Sequence, residues 1–132
     1  MISIKKMSAG VQFANFFFKL QHQIRMYHWQ TGVYARHQAT NGLLETLDGL
    51  VDKFMEIYQG KYGKINLQNK KLQIVIEHLS DEAAVQYIRH QIAFLRALVD
   101  EGMLSDEDTD LLNIRDEIMG ELNKTLYLFT FK

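Results

Sequence analysis

The sequence predicts an all-α protein in which four helices form a bundle and a long crossover joins the second helix to the third. Three observations support this prediction. The chain contains no proline, the residue that most strongly disrupts a helix. Apolar residues recur at intervals of three and four, as they do on one face of an α-helix. Glycines and helix-starting residues separate these periodic stretches and divide the chain into four long segments.

The first two segments are expected to form a helical hairpin. The first helix is predicted over residues 8–31, where apolar positions keep the helical spacing. Gly32 then permits a break, because glycine adopts backbone conformations that other residues avoid. The second helix is predicted over residues 36–58, and the sequence QGKYG at 59–63 supplies its C-terminal stop.

The last two segments are expected to form a second hairpin. Ser80, followed by two acidic residues, suits the start of a helix that runs to about residue 101 and ends at Gly102. Ser105 and Asp108 resemble a capping box at the start of the fourth helix, with Asp where Glu is usual.

The connection between the hairpins carries two patterns. Residues 67–79 combine a strand-like stretch, LQIVI, with helix-like spacing, and we predict a short helix there. Two helical hairpins joined by a long crossover that carries a short helix form a four-helix bundle of ferritin-like plan.

Composition and length limit the classes of protein that the chain can represent. Its 132 residues make a single domain, 1–132. The formal net charge of −1 gives no general attraction to nucleic acid or to anionic membranes. The absence of cysteine excludes disulfides, thiolate metal sites and cysteine nucleophiles. No apolar run is long enough for a signal peptide or a membrane span, so we expect an intracellular protein without membrane contact.

One side of the second helix carries polar side chains that are able to bind metals. These side chains recur at steps of three and four residues and therefore share one face of the helix. We call the set the polar stripe: His37, Asn41, Glu45, Asp48, Asp52 and Glu56. A solvated helix face is the ordinary interpretation of such a pattern, but Lys and Arg, which usually accompany acids on an exposed face, occupy none of these positions.

The chemistry of these residues indicates a transition metal. Asp52 and Glu56 lie one turn apart and offer two hard oxygen ligands to a single ion. His28 and His37 each offer an imidazole nitrogen. A mixed set of this kind suits iron, manganese or zinc better than magnesium or calcium, which prefer oxygen ligands alone.

Helix geometry separates the two kinds of ligand. His37 and Asp52 are 15 residues apart on one helix, which places their backbones about 22 Å apart at 1.5 Å per residue. The two side chains cannot reach one ion across that distance. Either they belong to separate sites, or an antiparallel second chain brings its Asp52 to this His37. A two-fold dimer would form that contact twice.

The same residues resemble Dps, the mini-ferritins of the ferritin-like superfamily. The resemblance lies in the His28-Trp29 pair, the nearby His37, and the pattern Asp52-x-x-x-Glu56 in a helix that ends at glycine. In that family the second His also lies 15 residues before the Asp. The resemblance implies that His28 and His37 of one subunit, with Asp52 and Glu56 of its two-fold neighbour, form a catalytic ferroxidase site. Such a site binds one or two Fe(II) ions and passes their electrons to peroxide or oxygen.

The resemblance also implies an assembly. Dps subunits form hollow dodecamers that store the ferric product, and some members coat DNA. Lys5 and Lys6 make a poor DNA-binding tail, so we expect chemical protection of DNA more than coating. In Dps-like cages the start of the last helix lines three-fold pores, which implies an acidic iron entrance. The acids at that position, which the helix dipole also favours, are Asp106, Glu107, Asp108 and Asp110.

The sequence departs from the Dps pattern in two respects. Asn41 stands where the family has Asp, and an amide oxygen is a weaker, neutral ligand for iron. Glu45, one turn further on, is a metal-binding residue that compensates for it in this interpretation. The segment between the His-Trp pair and the second His is about three residues shorter than usual. The short form, with YHWQT and YARH, also resembles a ferritin-like family carried by large DNA viruses, and for a viral protein the virion would be a second location besides the cytoplasm.

Two other functions remain open at this point. The chain could be a structural or interaction protein on a ferritin-like bundle whose metal site has degenerated, and Asn41 favours that alternative. It could also compact DNA without iron chemistry, which the net charge does not favour. Among the aromatic residues, Trp29 is expected to pack at a helix end, and the run at 16–18 to lie in the core or a subunit interface.

Overall fold

A computed structural model describes the backbone of residues 2–132 and the side chains of residues 9–132. Within that range it contains four α-helices and no β-strand: α1 (Ile2–Gln30), α2 (Tyr34–Tyr62), α3 (Asp81–Arg96) and α4 (Thr109–Leu128). The predicted all-α four-helix bundle is therefore confirmed. α1 begins before the predicted start at Ser8, whose side chain lies outside the described side chains.

The connection between α2 and α3, residues 63–80, runs along the length of α1. Asn15 donates from Nδ2 to Gln73 O at 2.9 Å. Gln23 donates from Nε2 to Glu77 O at 2.7 Å and accepts from Glu77 N at 2.9 Å. Residue numbers rise together on α1 and on the connection, so the two run parallel. α3 consequently starts at the end of the bundle where α2 also starts, and these two helices point in the same direction.

The predicted short helix at 67–79 is wrong, because the segment is extended apart from a turn near residue 69. Leu72, Ile74 and Ile76 are half-buried, whereas the residues between them are exposed. This alternation has the period of two that belongs to extended backbone and not the period of 3.6 that belongs to a helix. Amides of α1 satisfy backbone groups of the segment that would otherwise form helical hydrogen bonds.

The core lies between the four helices and is rich in aromatic rings. The ring of Phe13 packs edge-on against those of Phe54 and Tyr58, with centroids 5.1 Å and 5.4 Å apart. Phe16 stacks on Phe94 at 4.4 Å and joins α1 to α3. None of the helices, over the described residues, is long and apolar enough to cross a membrane.

The N-terminus of α3 lies where the sequence predicts it, but the C-terminus does not. Ser80 caps the N-terminus as predicted, with its Oγ accepting from Ala83 N at 3.1 Å. The predicted end near residue 101 is wrong, since α3 stops at Arg96 and the chain then turns. The backbone N–H groups of the buried residues Met103 and Leu104 donate to Leu98 O at 2.9 Å and 3.2 Å. Burial of these side chains beneath the bundle therefore favours a compact turn over a longer helix.

Candidate metal centre

The predicted ligands divide into two groups on the surface of the α1–α2 hairpin. His28 lies in the last turn of α1 and His37 in the first turn of α2, and we call them the histidine pair. Asp52 and Glu56 are exposed in the second half of α2, and we call them the carboxylate pair. Within the described residues, no three His, Asp or Glu side chains gather around a common point. One chain thus brings together two ligands at each of two places.

The histidine pair forms a stack. The ring centroids of His28 and His37 are 4.0 Å apart, and the ring planes are inclined by 14°. His28 is buried, with 6% of its surface exposed, and His37 is half-buried. The connection between the helices is only three residues long, and Val33 O accepts from His37 N at 3.0 Å. This short turn brings the start of α2 directly over the end of α1.

Hydrogen bonds define which nitrogen of each ring carries the proton. His37 Nδ1 lies 2.9 Å from His28 O, and a carbonyl oxygen can only accept, so His37 Nδ1 carries the proton. His28 Nδ1 lies 2.9 Å from Thr40 Oγ1. The hydroxyl of Thr40 also lies 2.8 Å from Arg36 O, which can only accept, so with its single proton in that bond Thr40 Oγ1 accepts from His28 Nδ1. In their neutral forms both rings therefore keep the lone pair on Nε2.

The two Nε2 atoms are accessible. Neither has a hydrogen-bond partner among the described residues. The only buried side-chain nitrogen or oxygen without a partner, over the same residues, is the hydroxyl of Tyr87, so the Nε2 atoms reach the surface. Burial and the neighbouring His37 hold the pKa of His28 below its usual value, which keeps this ring neutral at pH 7. A neutral imidazole with a free Nε2 lone pair is the form that binds a metal ion.

The rest of the polar stripe is exposed and lies beside a groove. Asn41 Nδ2 approaches Glu45 Oε1 at 3.5 Å, at the limit of a hydrogen bond. Glu45 and Asp48 line a groove of about 640 Å³ between α2 and α1, where Phe18 and Arg25 face them. Acidic side chains of α2 and a cation of α1 thus occupy the same outer face of the hairpin.

The outer face of α1 also carries aromatic side chains. Phe18, His22, Arg25 and Trp29 follow each other at steps of four, three and four residues, so they share one side of the helix. Trp29 is 67% exposed, and the prediction that it packs at a helix end is wrong within a single chain. At this end of α1 the buried side chains are those of Tyr27 and His28. In the run at 16–18, Phe17 is in the core, whereas Phe18 is 48% exposed.

The acidic residues at the start of α4 do not act as one group. Asp108 is 3% exposed and accepts hydrogen bonds from Tyr62 Oη at 2.5 Å and Ser105 N at 2.9 Å. Lys61 Nζ lies 2.7 Å from an oxygen of each of Asp108 and Asp110. Burial would raise the pKa of Asp108, but the hydrogen bonds from Lys61, Tyr62 and Ser105 outweigh it and hold that pKa below its usual range.

This arrangement changes what the start of α4 can do. Asp108 joins α4 to the end of α2 and faces inward, so it cannot line a pore at the surface. Its contact with Ser105 N is one half of the predicted capping box. The other half differs, because Ser105 Oγ accepts from Glu107 N and α4 begins only after Asp108. The exposed acids that remain for an entrance are Asp106, Glu107 and the ion-paired Asp110.

Thr40, which contacts His28 directly, is not among the site residues predicted from the sequence. It lies among Ala39, Leu43 and Leu44 on the buried side of α2. The signal was a hydroxyl at a core position, since a buried hydroxyl needs hydrogen-bond partners.

Comparison with known proteins gives one match. The family described as "Family of unknown function (DUF5856)" matches residues 28–129, a span that contains the histidine pair and the whole polar stripe. No curated protein and no solved structure matches the chain.

Proposed function

The chain belongs to DUF5856, a family of unknown function, and from its own residues we propose that it is a Dps-like ferroxidase. In this proposal it binds Fe(II), oxidises it with peroxide or oxygen at sites shared across a two-fold dimer, and serves iron storage or oxidative protection. The observation that carries the proposal is the histidine pair, whose two Nε2 lone pairs are accessible and held in place. Metal-binding histidines characteristically donate their other ring N–H to a fixed acceptor, as both of these do.

The connectivity of the bundle supports a ferritin-like fold. A single connection runs the length of α1 and leaves α2 and α3 pointing in the same direction. A four-helix bundle with one long crossover is the ferritin-like arrangement.

A second copy of the chain completes the donor set. The histidine pair and the carboxylate pair lie on the same hairpin, about 22 Å apart along α2. An antiparallel copy packed on this face brings its carboxylate pair to the histidine pair, and two-fold symmetry forms the same contact at the other end. The exposed aromatic rings of Phe18 and Trp29, on that face, favour its burial.

Ring geometry favours two iron ions at each site. A metal bound at Nε2 lies in the plane of the imidazole, about 2.1 Å from the nitrogen. The planes of His28 and His37, inclined by 14° with centroids 4.0 Å apart, meet far beyond that distance. One ion therefore cannot bind both rings as they stand, so each ring would hold an ion of its own.

The donor set suits the reaction. Two neutral imidazoles and two carboxylates bind Fe(II), and the negative charge of the carboxylates favours the Fe(III) product. Two Fe(II) ions lose one electron each, and one peroxide accepts both electrons and two protons to leave as two water molecules. Zinc and manganese fit the same ligands, so redox-inert Zn(II) can report binding without turnover.

The test is addition of Fe(II) under anaerobic conditions, followed by peroxide, with ferric absorbance as the measurement. We expect rapid oxidation that saturates per subunit and is lost in Asp52→Ala/Glu56→Ala. The matched control is Asp100→Ala/Glu101→Ala, which removes two exposed acids in the turn after α3 and leaves the hairpin unchanged. Oxidation no faster than in buffer, with no bound iron, would rule the proposal out.

The rival candidate is a structural or interaction protein on the same bundle with a degenerate metal site. The observation in its favour is Asn41, a neutral amide engaged with Glu45 at 3.5 Å where the Dps pattern has a carboxylate. This candidate expects dimerisation without iron binding. Iron binding that the carboxylate-pair variant abolishes distinguishes the two.

A further inference from the structure

Thr40 is fully buried in α2, with 0% of its surface exposed. Its hydroxyl donates to Arg36 O at 2.8 Å, with His37 O also within reach at 3.1 Å. The oxygen accepts from His28 Nδ1 at 2.9 Å. A threonine inside a helix can satisfy its hydroxyl by donation to the preceding turn alone. Thr40 therefore does not need the additional bond to His28, which lies on a different helix, and that bond instead orients the His28 ring.

We propose that Thr40 is a positioning residue that fixes the tautomer of His28 and so presents its Nε2 lone pair outward. The inference rests on the proposed function only for what Nε2 then binds. The donor–acceptor chain runs from His28 Nδ1 to Thr40 Oγ1 and from there to Arg36 O. With the Thr40 proton in the bond to Arg36 O, Oγ1 is left as an acceptor, and His28 Nδ1 must donate to it.

Thr40 acts on one histidine and not on the other. The acceptor for His37 Nδ1 is the backbone carbonyl of His28, which no side-chain substitution removes. The two rings are therefore fixed by separate acceptors, although they stack on each other. A change at Thr40 is expected to alter His28 alone. In a shared two-ion site, the change should weaken the binding of one ion and leave the binding of the other unchanged.

Thr40→Val removes the hydroxyl and preserves the shape of the side chain. His28 Nδ1–H then faces a methyl group with no acceptor, and an unpaired buried donor is unfavourable. The tautomer with the proton on Nε2 can instead be hydrated at the surface, so it becomes the favoured form. Its Nε2 no longer has a lone pair for a metal. Thr40→Ser keeps the hydroxyl and is the matched control.

The first measurement is nitrogen NMR of ¹⁵N-histidine-labelled, metal-free protein at a pH where both rings are neutral. We expect the Nδ1–H form for both rings in the wild type and in Thr40→Ser. In Thr40→Val, His28 should change mainly to the Nε2–H form while His37 does not change. An unchanged His28 tautomer in Thr40→Val overturns the inference, and so does a changed one in Thr40→Ser. If Thr40→Val does not fold, Thr40→Ala removes the same hydroxyl and is judged by the same spectrum.

The second measurement is calorimetric titration with Zn(II). We expect Thr40→Val to lose about 10–100-fold in affinity for one of two ions, and Thr40→Ser to stay close to the wild type. The positioning role is contradicted if the affinity falls equally for both ions, or if it falls for neither. If the wild type binds neither Zn(II) nor Fe(II), the proposed function fails, and the NMR spectra still decide whether Thr40 sets the tautomer.

Discussion

The side-chain amide of Gln23 pairs with the backbone of Glu77 as a neighbouring strand would. Gln23 Nε2 donates to Glu77 O at 2.7 Å, and Gln23 Oε1 accepts from Glu77 N at 2.9 Å. Gln23 is 1% exposed, so its amide lies in the interior of the bundle and reaches outward to the backbone of the exposed Glu77. The amide holds the crossover extended along α1, and that path decides the direction in which α3 leaves.

Replacing Gln23 by leucine should therefore destabilise the bundle. Gln23→Leu removes both hydrogen bonds to the backbone of Glu77, and we expect the free energy of unfolding to fall by about 1–3 kcal/mol. Urea denaturation gives this difference, and hydrogen exchange at the Glu77 amide reports the local opening. Asn15→Ala, which removes a single bond at a more exposed position, is the control and should cost about 1 kcal/mol or less. Equal losses in the two variants would contradict this role of Gln23.

The conformation of the crossover depends on contacts that are distant in sequence. Apolar spacing at three and four residues predicted the helices because their core contacts follow that period. Residues 67–79 carry both periods, and the choice between them depends on amides of α1 that lie more than 50 residues away in sequence. α2 likewise extends past the predicted end at residue 58 to Tyr62, whose hydroxyl binds the buried Asp108. Long-range contacts of this kind leave no local signal.

The candidate site was predictable in its ligand types and not in its arrangement. Helical spacing alone placed Asp52 and Glu56 together and separated them from His37. The stacking of His37 on His28 depends on the turn between α1 and α2, whose path the sequence does not specify beyond Gly32. The hydrogen bond from His28 to Thr40 depends on that same turn.

The stability of the protein should depend on pH through Asp108. Its pKa is lower in the folded state than in the unfolded chain, so its stabilising effect is present above the unfolded value, about 3.9. The effect is lost as the pH falls through the lower, folded pKa. Asp108→Asn, which cannot carry the charge, should lower the free energy of unfolding by about 1–3 kcal/mol at pH 7.

Thermal denaturation between pH 7 and pH 3 measures this dependence. The difference between wild type and Asp108→Asn should be constant down to about pH 5 and should shrink below about pH 4. Asp106→Asn is the control, since Asp106 is exposed, and should stay within about 0.5 kcal/mol of wild type. A difference that persists unchanged at pH 3 would exclude the charge of Asp108 as its cause.

The side chain of Asn41 allows a test of Fe(II) affinity at the proposed site, because its amide can be replaced by a carboxylate. It lies one helical turn after His37 on the exposed side of α2. Asn41→Asp replaces the amide by a carboxylate of the same size, and a charged oxygen binds Fe(II) more strongly than a neutral one. We expect tighter Fe(II) binding, by about 3–30-fold, equivalent to about 0.7–2 kcal/mol. Asn41→Ala, measured by the same anaerobic titration, should bind no more tightly than the wild type, and equal gains in both variants would refute a ligand role.

Mixing two inactive variants tests whether the site is shared between chains. His28→Ala/His37→Ala lacks the histidine pair and Asp52→Ala/Glu56→Ala lacks the carboxylate pair, so each homodimer has two broken sites. A heterodimer of the two has one site in which both defects meet and one site in which neither occurs. Random pairing of equal amounts makes half of the dimers heterodimers, so co-refolded chains should recover about one quarter of the wild-type ferroxidase rate. Sites contained within one chain would recover nothing. The control is the same two variants mixed without refolding and assayed at once, before subunits redistribute.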